Sequence, residues 1–172
     1  TLLIQHLAAA TRTLRVGSGG IMLPNHSPLV VAEQFGTLET LFAGRIDLGI
    51  GRAPGSAGPA IRALRGDASE RDFAQDLRQV QDYLADNGKQ PVRAIPGQHD
   101  TPLWLLGSSI NSADLAAKTG LPYAFASHFA PRFLMEAITH YRSTFRPSAV
   151  LSSPYVIAGA NVFGAPSRAE AD

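Results

Sequence analysis

Five runs of β-branched and large apolar residues recur along the chain, each passing into glycine, serine or alanine, with helix-type stretches between them. The runs are TLRVGSGGIML (13–23), RIDLGIG (45–51), PLWLLG (102–107), LPYAFAS (121–127) and PYVIAGANVFGA (154–165). A continuous apolar run is the pattern of a strand buried on both faces. Strands that alternate with helices predict a parallel sheet with its helices outside. Two α/β architectures satisfy this order: an open doubly wound sheet, or a section of a (β/α)8 barrel, which when whole needs eight strands and about 250 residues.

Helix signals fill the gaps. Residues 2–12 have helical composition. Ser27 and Pro28 open a helix carrying Leu29, Ala32, Phe35, Leu38, Leu41 and Phe42 at helical spacing. Ser69 with Asp72 caps a helix with Phe73, Leu77, Val80 and Leu84, which Asn87-Gly88 ends. Asn111 starts a helix that Gly120 closes, and Pro131 to Phe145 forms the next. VRAIPG (92–97) reads as a short extended piece. The first residue is Thr1, inside a helix-type pattern, and Ser167 with Glu170 opens a new helix at the other end. Both ends are therefore expected to be cut from a longer protein, with residues 1–172 one domain incomplete at each end.

Composition narrows the partners. The net charge of +1 gives no reason to expect nucleic acid or an anionic membrane. With no cysteine there is no disulfide framework, thiolate zinc site or cysteine nucleophile, and a reducing compartment, the cytoplasm, is the expectation. No apolar run reaches the roughly 18 residues that span a bilayer. The five histidines lack H-x-x-x-H or H-x-H spacing, so no metal site is expected. Ser108 stands outside a G-x-S-x-G elbow, so no serine nucleophile is assigned.

In both architectures ligands bind beyond the carboxyl ends of the strands. The residues there are GSGG (17–20), GIGRAPG (49–55), LGSSINS (106–112), ASHF (126–129) and AGANVFGA (158–165), nearly all small. GIGRAPG approximates G-x-G-x-x-G, but its last glycine is one place late and Pro54 lacks an N–H, which weakens a dinucleotide reading. Arg52 could instead grip a phosphate with its planar fork of donors; equally, it could be solvated or paired with a carboxylate. Ser108 and Ser109 precede a helix N-terminus, where free N–H groups favour an anion, or they merely cap it. His128 follows a strand and His26 lies in a loop; His6 and His140 read as structural, Trp104 as packing and Glu33 as a helix-face residue.

The stretch RVGSGGIMLPNHSPLVVAEQFGTLETLFAGRIDLGIGRAPG, followed by PLWLLGSSINSADLAAKTGLPYAFASHFAP and PYVIAGANVFGA, resembles the bacterial luciferase-like flavin-dependent monooxygenase family over nearly the whole chain. The resemblance implies a (β/α)8 barrel, of which this chain supplies about strands 3 to 7. It implies reduced FMN as cofactor, a deazaflavin in one branch, with O2 and a small organic molecule as substrates. A flavin reductase and a second copy of the chain are the partners it suggests. Arg52, Ser108 and Ser109 match phosphate-binding positions, and Gly19 and Gly20 match a non-prolyl cis peptide beside the flavin ring. The family's E-H-H segment has no counterpart here, so catalytic residues stay unknown, and Ala43 replaces the usual proline in LFAGR. Hydride transfer with a deazaflavin and flavin binding without turnover are the alternatives. The piece by itself, with open sheet edges, is expected to be inactive and to aggregate or dimerise.

Overall fold

A computed structural model describes residues 1–53, 59, 63–64, 72–86, 88, 90–128 and 130–171. It divides into two compact units, Thr1–Leu106 and Gly107–Asp172.

In the first unit, helix α1 (Leu2–Ala10) leads to two short strands, β1 (Val16–Gly17) and β2 (Ile21–Met22). Both pair in parallel with β3 (Ile46–Gly51), which pairs in parallel with β4 (Leu103–Gly107). The sequence reads residues 13–23 as one strand entering a loop, and the register explains the break. Gly17 lies opposite Asp47 and Ile21 opposite Ile50, so four steps on one side match three on the other. The extra residue makes Ser18–Gly20 a bulge.

The core of this unit is β3, whose Ile46, Leu48 and Ile50 are fully buried. Helix α2 (Pro28–Leu41) contributes Val31, Ala32, Phe35 and Leu38, and α3 (Phe73–Ala85) contributes Leu77, Val80 and Leu84. Ser27 and Pro28 begin α2 as expected. Asp72 caps α3 by accepting from the Ala74 N–H at 2.9 Å. That helix ends at Asp86, which takes the left-handed conformation itself (φ 43°), directly before the Asn87-Gly88 pair. VRAIPG forms no strand. Expectations resting on Pro54, Gly55, Ser69, Asn87 and Phe129, and on most of the loop to residue 68, lie outside the described residues.

Two arginines lock the amino-terminal part of the unit. Arg45 donates to Leu14 O at 2.9 Å, Thr11 O at 3.0 Å, Ala8 O at 3.1 Å and Thr11 Oγ1 at 2.8 Å. It thereby satisfies carbonyls that end α1, where a cation is also favoured by the helix dipole. Arg15 forks onto both Asp47 oxygens, at 3.1 and 2.7 Å, and Trp104 Nε1 donates to the same carboxylate at 3.1 Å.

In the second unit, α4 (Ile110–Thr119) packs on α5 (Leu134–Thr144), and β5 (Tyr123–Phe125) pairs in parallel with β6 (Val156–Ala158). A last short helix, α6 (Arg168–Ala171), follows the Ser167–Glu170 signal. Ala113, Ala116 and Ala117 are the buried face of α4, and Tyr123, Phe125 and Tyr141 fill the core beside it. Only three residues of 154–165 pair, because β5 offers only three partners. On the helices' outer side Lys118 (2.6 Å) and His140 (3.2 Å) flank Asp114. They hold its carboxyl below the usual carboxylate range, Lys118 the more strongly.

Two outcomes follow. Gly49→Ala is expected to lower stability by about 1–3 kcal/mol in chemical denaturation, because a Cβ there would run into the Ser18 carbonyl oxygen. The Asp114 contribution is present above the unfolded carboxylate pKa of about 3.9 and lost as pH falls through the lower folded value. Asp114→Asn should therefore flatten the acid limb of a stability profile below about pH 4, read from urea midpoints between pH 3 and 6.

Candidate functional site

The strand ends of each unit carry the candidate residues. In the first unit the bulge Ser18–Gly20 lies against β3. Ser18 Oγ donates to Gly49 O at 2.8 Å and accepts from Gly49 N at 3.0 Å. The Gly19–Gly20 peptide is cis, as the family resemblance implies. The two glycines differ in what surrounds them. A Cβ on Gly20 would stand 2.9 Å from Gly49 O and 3.0 Å from a Leu106 methyl, whereas one on Gly19 would meet nothing within 4 Å. In the sequence all these glycines read as room for a ligand. Gly17, Gly20 and Gly49 are instead small because a neighbouring backbone presses on them; of the four, only Gly19 faces open space.

Arg52 directly follows Gly51, the last residue of β3, and is exposed. Among the described residues its guanidinium makes no hydrogen bond or ion pair, unlike Arg15, Arg45 and Arg93, which are all engaged. The carboxylate-paired alternative for Arg52 thus finds no partner among those residues.

In the second unit Ser109, not Asn111, is the N-cap of α4. Asparagine and serine are equally good caps, and the neighbours decide. Ser109 Oγ accepts from Ser112 N at 3.4 Å, and Ser112 Oγ accepts from Ser109 N at 3.3 Å, a reciprocal capping box. The Ser112 hydroxyl also meets Ser109 O at 2.7 Å and the Tyr123 hydroxyl at 2.8 Å, while Tyr123 donates to Ser109 O at 3.2 Å. Burial pushes the Tyr123 hydroxyl pKa up, and its bond with Ser112 opposes that. Gly107 is required here too, since a Cβ on it would overlap the Ser112 hydroxyl. Ser112 and Tyr123 escape a reading of the sequence, although Ser109-x-x-Ser112 has capping-box spacing. Ser108 is half-buried in front of this cap.

The structure places Gly19, Gly20 and Arg52 at strand ends of the first unit, and Ser108 and Ser109 directly after β4, at the start of the second. Of the residues read as structural, Trp104 bonds Asp47, Glu33 accepts from Ile95 N at 3.3 Å, and His140 meets Asp114. Among the described residues no three His, Asp or Glu side chains are grouped to hold a metal ion, and no helix is long and apolar enough to cross a membrane.

A family model described as luciferase-like monooxygenase matches residues 1–172. A luciferase-like monooxygenase of Escherichia coli K12 is 53% identical over 178 residues, covering 100% of this chain and 52% of that protein. The N-acetyl-S-alkylcysteine monooxygenase of Bacillus subtilis is 38% identical, covering 73% of this chain and 40% of its own length. The crystal structure of apo-MsnO8 superposes with a TM-score of 0.85 at 45% identity, over 91% of this chain and 47% of that one. More distant structures share the fold alone. They include the FMN complex of a type II Baeyer-Villiger monooxygenase of Pseudomonas putida, with a TM-score of 0.57 at 18% identity over 84% of this chain and 46% of that one. An F420-dependent secondary alcohol dehydrogenase has a TM-score of 0.61 at 16% identity over 81% of this chain and 46% of that one. The fold class is α/β, a partial (β/α)8 barrel. The chain spans about half the length of the curated relatives it matches.

Replacing Ser112 by alanine removes half of the capping box and one partner of Tyr123. A loss of about 1 kcal/mol is expected, measured by urea denaturation. An unchanged midpoint would reduce the serine cluster to a surface decoration.

Proposed function

The chain belongs to the luciferase-like monooxygenase family, and on that premise we propose that the whole protein carrying it is an FMN-dependent monooxygenase acting on a small organic molecule with O2. The observation that carries the flavin reading is Arg52: an exposed guanidinium at the carboxyl end of the parallel core strand β3, with no partner among the described residues. Parallel α/β architectures put their ligands at that end, and a guanidinium fork suits a phosphate.

Other residues fit the same ligand. Gly19 leaves open space where a side chain would stand, which suits close approach of a flat ring to the backbone. In this reading Gly20 keeps that segment tight against β3. The capping box employs the N–H groups of Ser109 and Ser112, while those of Ile110 and Asn111 precede any intrahelical partner. Ser108 and Ser109 thus introduce a helix start with donors to spare for an anion. Reduced flavin supplies the oxygen-activating chemistry when bound. The chain's own part is to hold the phosphate, present a side-chain-free surface to the ring, and keep both in fixed geometry.

The relative named for N-acetyl-S-alkylcysteines makes such thioethers the first substrates to try. A separate reductase as the source of reduced FMN and a homodimeric assembly complete the proposal. A second reading, hydride transfer with the deazaflavin F420, draws on a fold neighbour at 16% identity, whereas the relatives at 38% and 53% identity are named monooxygenases. Absorbance of the purified whole protein after incubation with each cofactor separates the two.

The test is FMN binding, followed by fluorescence quenching, in the whole protein and its Arg52→Ala variant. Losing one charge-assisted bond corresponds to about 10- to 100-fold weaker binding. Equal affinity would remove Arg52 from the site; absence of FMN binding in the unaltered protein would end the flavin reading.

A further inference from the structure

Ile46, Leu48 and Ile50 are fully buried on one face of β3, so Asp47, Gly49 and Gly51 lie on the other. At the carboxyl edge of that second face one row crosses the ladder of the first unit. Met22 of β2 is the register partner of Gly51, and Gly51 is the register partner of Leu106 of β4. Side chains paired in this way project to the same side of a parallel sheet. The row therefore reads thioether, no side chain, isobutyl group. Toward the amino end the same face is occupied: Trp104, the partner of Gly49, donates its indole N–H to Asp47.

The middle of the row is open. Among the described residues a Cβ on Gly51 would meet no atom nearer than the Leu106 carbonyl oxygen at 4.0 Å. The Leu106 side chain does not fill the gap, because its methyls lean back, to 2.8 Å from a Cβ on Gly49 and 3.0 Å from one on Gly20. On the other side Met22 is 41% exposed. Neighbouring strands run about 4.8 Å apart, so the backbones of Met22 and Leu106 are separated by roughly twice that distance. The result is a notch between two apolar walls, with room for the edge of a planar ring. It adjoins both features of the flavin reading that this unit carries. Gly19, with its open side, lies three residues before Met22, and Arg52 directly follows Gly51.

We propose that this notch receives the edge of the flavin ring, with Met22 as the side chain that touches it and Gly51 as the position that keeps the space clear. A thioether favours the edge of an aromatic ring, and its unbranched chain adapts to the ring's position. The proposal rests on the FMN reading above and adds residues that recognise a ring to the guanidinium that would recognise a phosphate.

The experiment uses the whole protein labelled with 13C-methyl methionine, with FMN as the probe. Met22→Leu, a volume-conserving change, identifies the Met22 methyl signal by its loss. FMN is then added to saturation, followed by fluorescence quenching. The expected result is a nuclear Overhauser contact between the Met22 methyl and protons of the flavin ring. Met22→Ala should weaken FMN binding about two- to tenfold, as for one lost sulfur–aromatic contact. Gly51→Val, which fills the notch, should weaken it by about tenfold or more, while Leu3→Ala, exposed on α1, leaves it unchanged. If FMN binds but the Met22 methyl shows no contact with the ring, the proposal is overturned and the flavin reading stands. If FMN does not bind at all, both fall together. Should Gly51→Val fail to fold, the Overhauser contact in the unaltered protein decides, and Met22→Ile identifies the methyl signal if Met22→Leu does not fold.

Discussion

The first unit depends on how closely residues 16–22 lie against β3. Gly17, Gly20 and Gly49 each sit where a neighbouring backbone occupies the space of a side chain. That closeness lets Val16 and Gly17 pair at one end of β3 and Ile21 and Met22 at the other, with a surplus residue expelled between them. The expelled segment is where Gly19 meets open space. The open surface and the tight contacts are thus one arrangement: the bulge exists because the flanks are pinned.

Polar anchoring at the opposite end of the same strands complements this. Arg45 holds the end of α1 and Arg15 clamps Asp47, so the amino-terminal side of β3 is tied by charge-assisted bonds while its carboxyl side is left small and polar. A parallel barrel assigns stability to one face and ligands to the other, and the residue types obey that division. Arg15 and Arg45 are bound on one side; at the carboxyl end of β3 the Arg52 guanidinium has no partner among the described residues.

Much of this is legible in the residues. Ile46, Leu48 and Ile50, or Leu103 and Leu105, can hardly be anything but buried strand, and Ser27-Pro28 marks a helix start whose side chain need not even bond. The misreadings share a cause: the deciding partner lies far away in sequence. Ser109 outranks Asn111 as a cap because Tyr123 reaches the Ser112 hydroxyl. The glycines signal closeness, and sequence cannot say whether a ligand or a neighbouring strand comes close. Nor can it show that Arg15 and Trp104 converge on Asp47. Gly19, Gly20, Arg52, Ser108 and Ser109 follow from family likeness, and the geometry adds the open side of Gly19 and the exposed guanidinium of Arg52.

Trp104 is the single tryptophan of the chain, and its indole N–H is tied to the carboxylate that also receives Arg15. All the indole emission of this chain therefore originates at one carboxylate-bonded ring in the β3–β4 ladder. Its wavelength is a native optical reporter of whether that ladder is assembled, with no label to attach and no second indole in this chain to subtract.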